Sequence, residues 1–328
     1  MSEKIHLKDM KVLQDTDPNH HISEGIKDCK YIDFSDWNDL NRNFFSYYVL
    51  KNGYDIFHLQ FLQYRFYSQM WFPISLIKIP LLFLNLSFLK MFGVHVVWTA
   101  HHSKSHETPY PKLDQLARQG VISLCDHIFV LEPPVKSQLK QHFNVRTNIT
   151  VARLGNYREF HNQRDSGEPL NRQLPKESPV ISMLGHLREY KRVPLGIRSA
   201  DESDQIKSAV VAGRPKTQQV EDEIRDSIRR ASIPVFKQFG FVSDTDILRY
   251  VDASDVVLIL NNQDTVPATA YLAISSKTPI VTVPGGVKEY LVKEYDVGVV
   301  ADSDSIHDIA NAIDCAIDKP LEPDWERF

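Results

Sequence analysis

Twelve short runs of β-branched and apolar residues recur along the chain, separated by longer amphipathic stretches. This alternation is typical of parallel strands, because each connection between parallel strands needs a helix-length crossover. The runs form two sets of six, so the sequence predicts two doubly wound α/β domains rather than one large sheet. The first set is Lys11–Leu13, Tyr31–Phe34, Asp55–Leu59, Val94–Thr99, His127–Leu131 and Ile149–Arg153, and the second is Val180–Leu184, Ser208–Ala212, Val235–Phe239, Val256–Leu260, Pro279–Val283 and Gly298–Ala301.

The length of 328 residues suits two domains of ordinary size. Segment 158–178 is polar, contains a glycine and two prolines and lacks apolar periodicity, as expected of a linker. We therefore expect an N-terminal Rossmann-like domain at 1–157, a linker at 158–178, a C-terminal Rossmann-like domain at 179–315 and a tail at 316–328. Ligands of such domains bind at the carboxyl ends of the strands, so chemistry is expected in a cleft between the two.

The composition excludes several classes of protein. Lys and Arg number 38 against 42 Asp and Glu, a net charge of −4, which argues against a nucleic-acid partner. The cysteines Cys29, Cys125 and Cys315 are far apart and form no C-x-x-C pair, so we expect neither a disulfide scaffold nor a cysteine metal site. The first ten residues are polar and do not resemble a secretion signal. These features predict a cytoplasmic protein.

The most apolar segment is Trp71–Trp98, which is long enough to span a bilayer. We expect no transmembrane span, because Lys78 and Lys90 interrupt the segment and Pro73 and Pro80 are expected to break it. Two interpretations stay open. The segment is either a buried helix that leads into a central strand, or a surface helix whose leucines and phenylalanines enter the inner leaflet while its lysines stay among the headgroups.

A basic motif follows the first run of the second domain. Gly185 permits a tight turn at the end of that run, and Arg188 and Lys191, three residues apart, can point at one polyanion. The alternative is a solvated basic helix start. Positive charge is unfavourable at the start of a helix, which weakens this purely structural explanation.

A second anion site is predicted near residue 265. Thr265 can cap a helix that begins near Val266-Pro267, because proline is tolerated in the first turn. The N–H groups of Ala268 and Thr269 would then be available to an anion. An ordinary capped helix explains the same residues, so this segment supports an anion site only together with the basic motif.

In the first domain, the run Val94–Thr99 is followed by three histidines and a glutamate: His101, His102, His106 and Glu107. Such a cluster at the carboxyl end of a strand is compatible with a metal site, a proton-transfer site or a polar loop. No further ligand cluster accompanies it, which makes the metal site the weakest of the three interpretations.

Taken in order, four motifs between about Val180 and Ala301 carry a family resemblance: GHLREYK, VVAGRP, GFVSDTDILRYVDASDVVLIL and TVPATAYLAISSKTPIVTVPGG. They resemble the donor-binding domain of B-fold (GT-B) glycosyltransferases of the glycosyl transferases group 1 superfamily, especially its polysaccharide-assembly branch. In the first half, DIFHL and WTAHH followed by HE are similar to acceptor-domain motifs of that family. The resemblance implies two Rossmann-like domains facing a central cleft, a nucleotide diphosphate sugar as donor substrate, and neither a bound metal nor a cofactor.

The resemblance also implies roles for individual residues. Arg188 and Lys191 would neutralise the diphosphate leaving group in place of a metal ion. His101 would contact the transferred sugar, and Glu107 or His106 would take the proton of the acceptor hydroxyl. The implied donor-binding set is Gly185, Arg188, Lys191, Asp264, Thr265, Ala268, Thr269 and Glu289.

The chain departs from the family pattern at the second of two glutamates spaced eight residues apart. The matching positions are Asp264 and Leu272, and Leu272 cannot accept a hydrogen bond from a ribose hydroxyl. Either Lys288-Glu289 or the backbone takes that part, or donor binding is weaker. Whether the reaction inverts or retains the anomeric configuration is left open.

We expect a metal-independent hexosyltransferase that acts on a saccharide or lipid-linked acceptor in surface polysaccharide or glycoconjugate biosynthesis. The apolar segment allows peripheral attachment to the inner face of the cell membrane. Two alternatives stay open: a sugar-nucleotide epimerase of the same fold, and a degenerate transferase that binds an active partner without catalysis.

Overall fold

The computed structural model describes residues 10–14, 32–36, 44–60, 62, 72–104, 110–155, 158, 175, 177–263 and 267–318. The chain divides into two compact units, Met1–Arg153 and Leu154–Phe328, and each contains one six-stranded sheet. Every predicted strand is confirmed, with ends displaced by at most two residues. Most of the predicted linker and the chain beyond Asp318 lie outside the described residues.

The first unit has the strand order β2-β1-β3-β4-β5-β6, and all neighbouring pairs are parallel. The order reverses at β1, which lies between β2 and β3. Its strands are β1 (Met10–Gln14), β2 (Ile32–Asp36), β3 (Ile56–Leu59), β4 (His95–Ala100), β5 (His127–Val130) and β6 (Ile149–Val151). Its helices are α1 (Phe45–Lys51), α2 (Phe72–Met91), α3 (Pro111–Leu124) and α4 (Pro133–His142).

Helix α2 corrects one expectation about the apolar segment. It runs without interruption from Phe72 to Met91, with Pro80 inside it, so this proline does not break the helix. Pro80 and Leu76, four residues earlier, are both exposed. The carbonyl that loses its helical N–H donor therefore lies on the solvent side, where water can replace the donor. By length and composition, Ile74–Met91 passes as a candidate membrane span, with a mean hydropathy of 1.6 and 33% of it buried.

The second unit has the order β12-β11-β10-β7-β8-β9, again with parallel neighbours. Its strands are β7 (Val180–Leu184), β8 (Ser208–Gly213), β9 (Val235–Phe239), β10 (Val256–Ile259), β11 (Ile280–Thr282) and β12 (Gly298–Val300). Its helices are α5 (Val193–Glu202), α6 (Gln218–Arg230), α7 (Asp244–Asp252), α8 (Ala268–Ser275), α9 (Gly286–Tyr295) and α10 (Ile306–Asp318).

Counted from its own first strand and starting at β9, the second sheet has the order 3-2-1-4-5-6 of the Rossmann fold. The central strands β7, β8 and β10 are buried along their whole length, which explains why they read as continuous apolar runs. Helices α5 and α10 cover one face, with Ile197 and Ile313 in the core. The strand order reverses between β7 and β10, so their carboxyl ends flank the crevice where such sheets bind ligands.

Candidate functional site

Two glycines shape the end of β7. Gly185 directly follows the strand with φ +91°, a backbone conformation that glycine adopts without strain. Gly213, the last residue of β8, has φ +148°, and a Cβ added there would lie 1.7 Å from the carbonyl oxygen of Gly185. Only glycine lets the ends of these neighbouring strands approach so closely.

The side chains of Lys191 and Thr269 meet at the carbonyl of Leu184, the last residue of β7. Lys191 Nζ donates to Leu184 O at 3.1 Å, and Thr269 Oγ1 donates to the same oxygen at 3.5 Å. Asn261 and Pro267 join them around a cavity of about 20 Å³. The structure therefore brings together Gly185, Lys191 and Thr269 from the predicted donor-binding set, at the point where the strand order reverses.

The electrostatics of this site are those of a cluster of positive charge. Burial, and then the charge of Arg188, lower the pKa of Lys191 to about 8. The pKa of His186 is also lowered, first by burial and then by Lys191, Arg188 and Arg214. Sequence reasoning missed Arg214, which follows β8. Its backbone carbonyl accepts from Leu187 N at 2.9 Å, so the loops after β7 and β8 run side by side.

We call Arg188, Lys191 and Arg214 the strand-end cationic cluster. Desolvation disfavours the charged form of a buried lysine, whereas a nearby anion favours it. Perturbed titratable groups of this kind concentrate at functional sites. The cluster is therefore suited to bind an anion that enters the crevice.

A larger pocket of about 580 Å³ adjoins this site and shares Asn261 with the small cavity. The loops that follow β10, β11 and β12 line it, and its walls include Gly285 and Lys288. The Lys288 ammonium is held by the carbonyl of Gly285 at 2.5 Å. The volume lies within the range of small-molecule sites.

Glu289 also has a defined place in the structure. Its carboxylate accepts from Gly285 N at 2.6 Å and pairs with Lys293 at 2.5 Å. The hydrogen bond from Lys293 and then that from Gly285 N hold the pKa of Glu289 below its usual value. The carboxylate thus caps its own helix, α9, and a role in donor binding stays a prediction.

The start of α8 differs from the expectation. The helix begins at Ala268, and its N-cap is Pro267, whose side chain makes no capping hydrogen bond. Thr265 is therefore not the N-cap residue. Pro267 itself has extended backbone angles, φ −83° and ψ 113°, so the first helical residue is Ala268. Asp264 and Thr265 themselves lie outside the described residues. In contrast, α7 has a side-chain cap, with Ser243 Oγ accepting from Asp246 N at 3.1 Å.

A buried polar network lies at the carboxyl ends of β3 and β4 in the first unit. Gln60 Oε1 is 2.9 Å from His101 Nε2, and Gln60 Nε2 is 3.1 Å from His58 Nε2. Thr99 Oγ1 lies 2.8 Å from the same nitrogen of His58. Burial lowers the pKa of His58 to about 4, so this imidazole is neutral at physiological pH. Sequence reasoning selected His101 but missed Gln60.

An ion pair holds the backbone after His101. Arg118 and Asp114, one turn apart on α3, are both buried and pair at 2.9 Å. Arg118 Nη1 also donates to the carbonyl of His102 at 3.0 Å. Within the described part of the chain, no three His, Cys, Asp or Glu side chains are grouped as metal ligands. His106 and Glu107 lie outside that part.

Two parallel α/β domains, the second in Rossmann order with a cationic cluster at its point of strand reversal, define the GT-B class of fold. Solved structures agree. Sucrose-phosphate synthase of Thermosynechococcus elongatus aligns with a TM-score of 0.69 at 12% identity, covering 97% of this chain and 91% of that one. Alr3699/HepE of Anabaena, in complex with UDP, aligns at 0.61 and 12% identity over 94% and 90%. A UDP-forming trehalose-phosphate synthase of Burkholderia xenovorans aligns at 0.63 and 11% identity over 97% and 94%.

Residues 168–327 match the model of the family described as glycosyl transferases group 1. The match covers 160 of the 328 residues, and the motifs from GHLREYK onward lie within it. No curated protein matches the chain.

Proposed function

We propose that this protein transfers a hexosyl unit from a nucleotide diphosphate sugar to a saccharide or lipid-linked acceptor, in the cytoplasm, for surface polysaccharide or glycoconjugate assembly. The observation that carries the proposal is the strand-end cationic cluster at the strand reversal of a glycosyl transferases group 1 domain. A diphosphate is the anion that this arrangement fits best, because two adjacent phosphates can engage several cations at once.

The proposed reaction uses side chains where other transferases use a metal ion. As the bond between the anomeric carbon and the diphosphate breaks, negative charge develops on the leaving oxygen. Lys191, Arg188 and Arg214 stabilise that charge, and the buried position of Lys191 strengthens its interaction. The donor sugar can extend from the cluster towards the 580 Å³ pocket, because Asn261 lines both.

In the first domain, the proposal retains His101 as a contact of the transferred sugar and Glu107 or His106 as the base that takes the acceptor proton. A base held at hydrogen-bond distance from an attacking hydroxyl typically contributes 10²–10⁴-fold to the rate. The family resemblance supports these roles.

The proposal is tested by incubating the protein with a panel of sugar nucleotides, with and without lipid extract, and measuring release of nucleotide diphosphate. Alr3699/HepE was solved with UDP-glucose, so uridine diphosphate sugars begin the panel. Acceptor-dependent release supports transfer. Interconversion of the sugar without release would instead identify an epimerase. If no donor stabilised the protein against thermal unfolding, only the interpretation as a non-catalytic partner of an active transferase would remain.

We further propose that α2 attaches the protein to the inner face of the cell membrane. Ile77, Leu84 and Met91, seven residues apart along one face of the helix, are 70%, 66% and 70% exposed. Neither α1 nor α2 contains an acidic residue, whereas Lys51 and Lys78 lie on them. Lys90, near the end of the stripe, pairs with Asp126, which leaves Lys51 and Lys78 as the lysines proposed to meet anionic lipids. Such attachment would bring a lipid-linked acceptor within reach.

A further inference from the structure

We infer that Gln60 is a positioning residue that fixes His101 as the tautomer protonated on Nε2. The inference starts from the fold. Strands β3 and β4 are parallel neighbours, with Leu59 opposite Trp98, so the residues that follow them emerge side by side. Gln60 is only 2% exposed, and its amide bridges His58 and His101.

The two ends of an amide have different chemistry, which gives the bridge a direction. The NH₂ group only donates and the carbonyl oxygen only accepts. Because Gln60 Nε2 faces His58 Nε2 at 3.1 Å, that imidazole nitrogen must be unprotonated. His58 then carries its proton on Nδ1, and Thr99 Oγ1 lies 2.8 Å from the same Nε2. The burial that lowers the pKa of His58 to about 4 favours this neutral form.

The direction continues to His101. Gln60 Oε1 accepts at 2.9 Å, so His101 Nε2 must carry a proton. In the neutral imidazole the other nitrogen, Nδ1, is then an acceptor. Such a nitrogen can accept a hydrogen bond from an O–H or N–H group, a sugar hydroxyl among them. The identification of this group as a hydroxyl of the transferred sugar rests on the proposed function. The assignment of the tautomer does not depend on it.

The tautomer is read directly from long-range ¹H–¹⁵N correlation spectra of uniformly labelled full-length protein, recorded without substrate. The cross-peaks of His101 are assigned by their loss in His101→Gln. We expect the Nε2–H pattern for His101 and the Nδ1–H pattern for His58 between pH 6 and 8. An Nδ1–H pattern for His101 in the wild type would overturn the inference.

Two variants test the part played by Gln60. Gln60→Leu removes the acceptor, and His101 should then populate both tautomers. Gln60→Glu keeps an acceptor, so the neutral form of His101 should retain the Nε2–H pattern, and the added negative charge should raise the pKa of His101. His127, which is bonded to Thr150 at 2.9 Å, should be unchanged and reports on the fold in the same spectra. Unaltered His101 signals in a folded Gln60→Leu would refute the role of Gln60.

The same variants separate this inference from the proposed function. Where transfer is measurable, Gln60→Leu should lower kcat by about tenfold or more while the KM for the donor stays close to that of the wild type, because the cationic cluster is intact. A protein with the expected tautomers and no transfer would contradict the proposed function and leave the inference standing.

Discussion

The ammonium of Lys191 lies 3.1 Å from the carbonyl oxygen of Leu184, so a buried cation rests on the last peptide group of β7. Burial lowers the pKa of this lysine to about 8. The hydrogen bond orients the ammonium. The low polarity around it disfavours the charged form of the lysine as long as no anion is bound. An entering anion would favour the charged form of the lysine.

Removal of the charge should weaken donor binding. We expect Lys191→Met and Arg188→Ala each to raise the dissociation constant for a nucleotide diphosphate by about 10–100-fold, because a hydrogen bond to a charged group contributes about 1.5–3 kcal/mol. Isothermal titration calorimetry provides the measurement. Lys207→Met is the matched control, because Lys207 is exposed and directly precedes β8. It therefore lies at the amino ends of the strands, away from the cationic cluster. Unchanged affinity in both site variants would disprove the diphosphate assignment.

The affinity for the donor should depend on pH. The protonated form of Lys191 binds the diphosphate, and its pKa of about 8 means that this form is depleted above pH 8. Binding should therefore be constant below about pH 7 and weaken as the pH rises through 8 and beyond. Lys191→Arg keeps its charge throughout this range and should remove the dependence. If the affinity of Lys191→Arg for the donor depended on pH as steeply as that of the wild type, the pH dependence would belong to another group.

The same lysine should make the fold more stable at higher pH. Its pKa is about 8 in the folded chain and near 10.5 when unfolded, so between these values the unfolded state binds more protons. The free energy of unfolding should then rise with pH across this window, by at most about 1.4 kcal/mol per pH unit from this group. Urea unfolding from pH 7.5 to 9.5 measures the slope.

In Lys191→Met this contribution to the slope should vanish, and the variant should be more stable than the wild type at pH 7. Lys207→Met should keep the slope of the wild type. A Lys191→Met protein that is less stable than the wild type at pH 7 would show that the lysine stabilises the empty site.

Gly213 should tolerate no side chain. An alanine Cβ there would meet Gly185 O at 1.7 Å, whereas at Gly240, also a glycine of positive φ after a strand of this sheet, a Cβ would have no neighbour within 4 Å. Both substitutions share the cost of the backbone conformation, so their difference isolates the clash. We expect Gly213→Ala to lower the free energy of unfolding by about 1–3 kcal/mol more than Gly240→Ala. Equal effects in chemical denaturation would contradict the close approach of the two strand ends.

Membrane attachment should depend on the apolar stripe of α2. The protein should float with liposomes that contain anionic lipid, and Leu84→Glu together with Met91→Glu should leave it in the soluble fraction. Phe241→Glu, at an 88% exposed phenylalanine of the second unit, is the control and should float normally. High salt should release the wild type if lysines assist, because screening weakens contacts at a charged surface. Flotation that survives both the double variant and high salt would reject peripheral attachment through α2.

Much of the fold follows from local sequence. Strands buried on both faces are mostly apolar, so Val180–Leu184 and Ser208–Ala212 were recognisable without knowledge of their neighbours. The cap at Ser243 is local as well, because a side chain bonds to a backbone group three residues later. Arg188 and Lys191 lie close together because they are three residues apart in the sequence, so their proximity could also be predicted.

Other features arise only when distant segments meet. Arg214 joins the cationic cluster because the loops after β7 and β8 are hydrogen-bonded to each other. Gln60 reaches His101 across 41 positions of the sequence because β3 and β4 are neighbours. Pro80 was expected to break its helix, and whether the lost hydrogen bond matters depends on which side of the helix faces solvent. Neither strand order nor helix orientation can be read from residue spacing.

The buried lysine at the end of β7 has a consequence for the rate of turnover. In the proposed reaction, cleavage of the sugar converts a diphosphate diester into a free nucleoside diphosphate, which carries more negative charge. A cation in a poorly hydrated site holds the more highly charged product more tightly than the substrate. Departure of the nucleotide, rather than the chemical step, would then limit the cycle, and an accumulating nucleoside diphosphate would inhibit the enzyme that formed it.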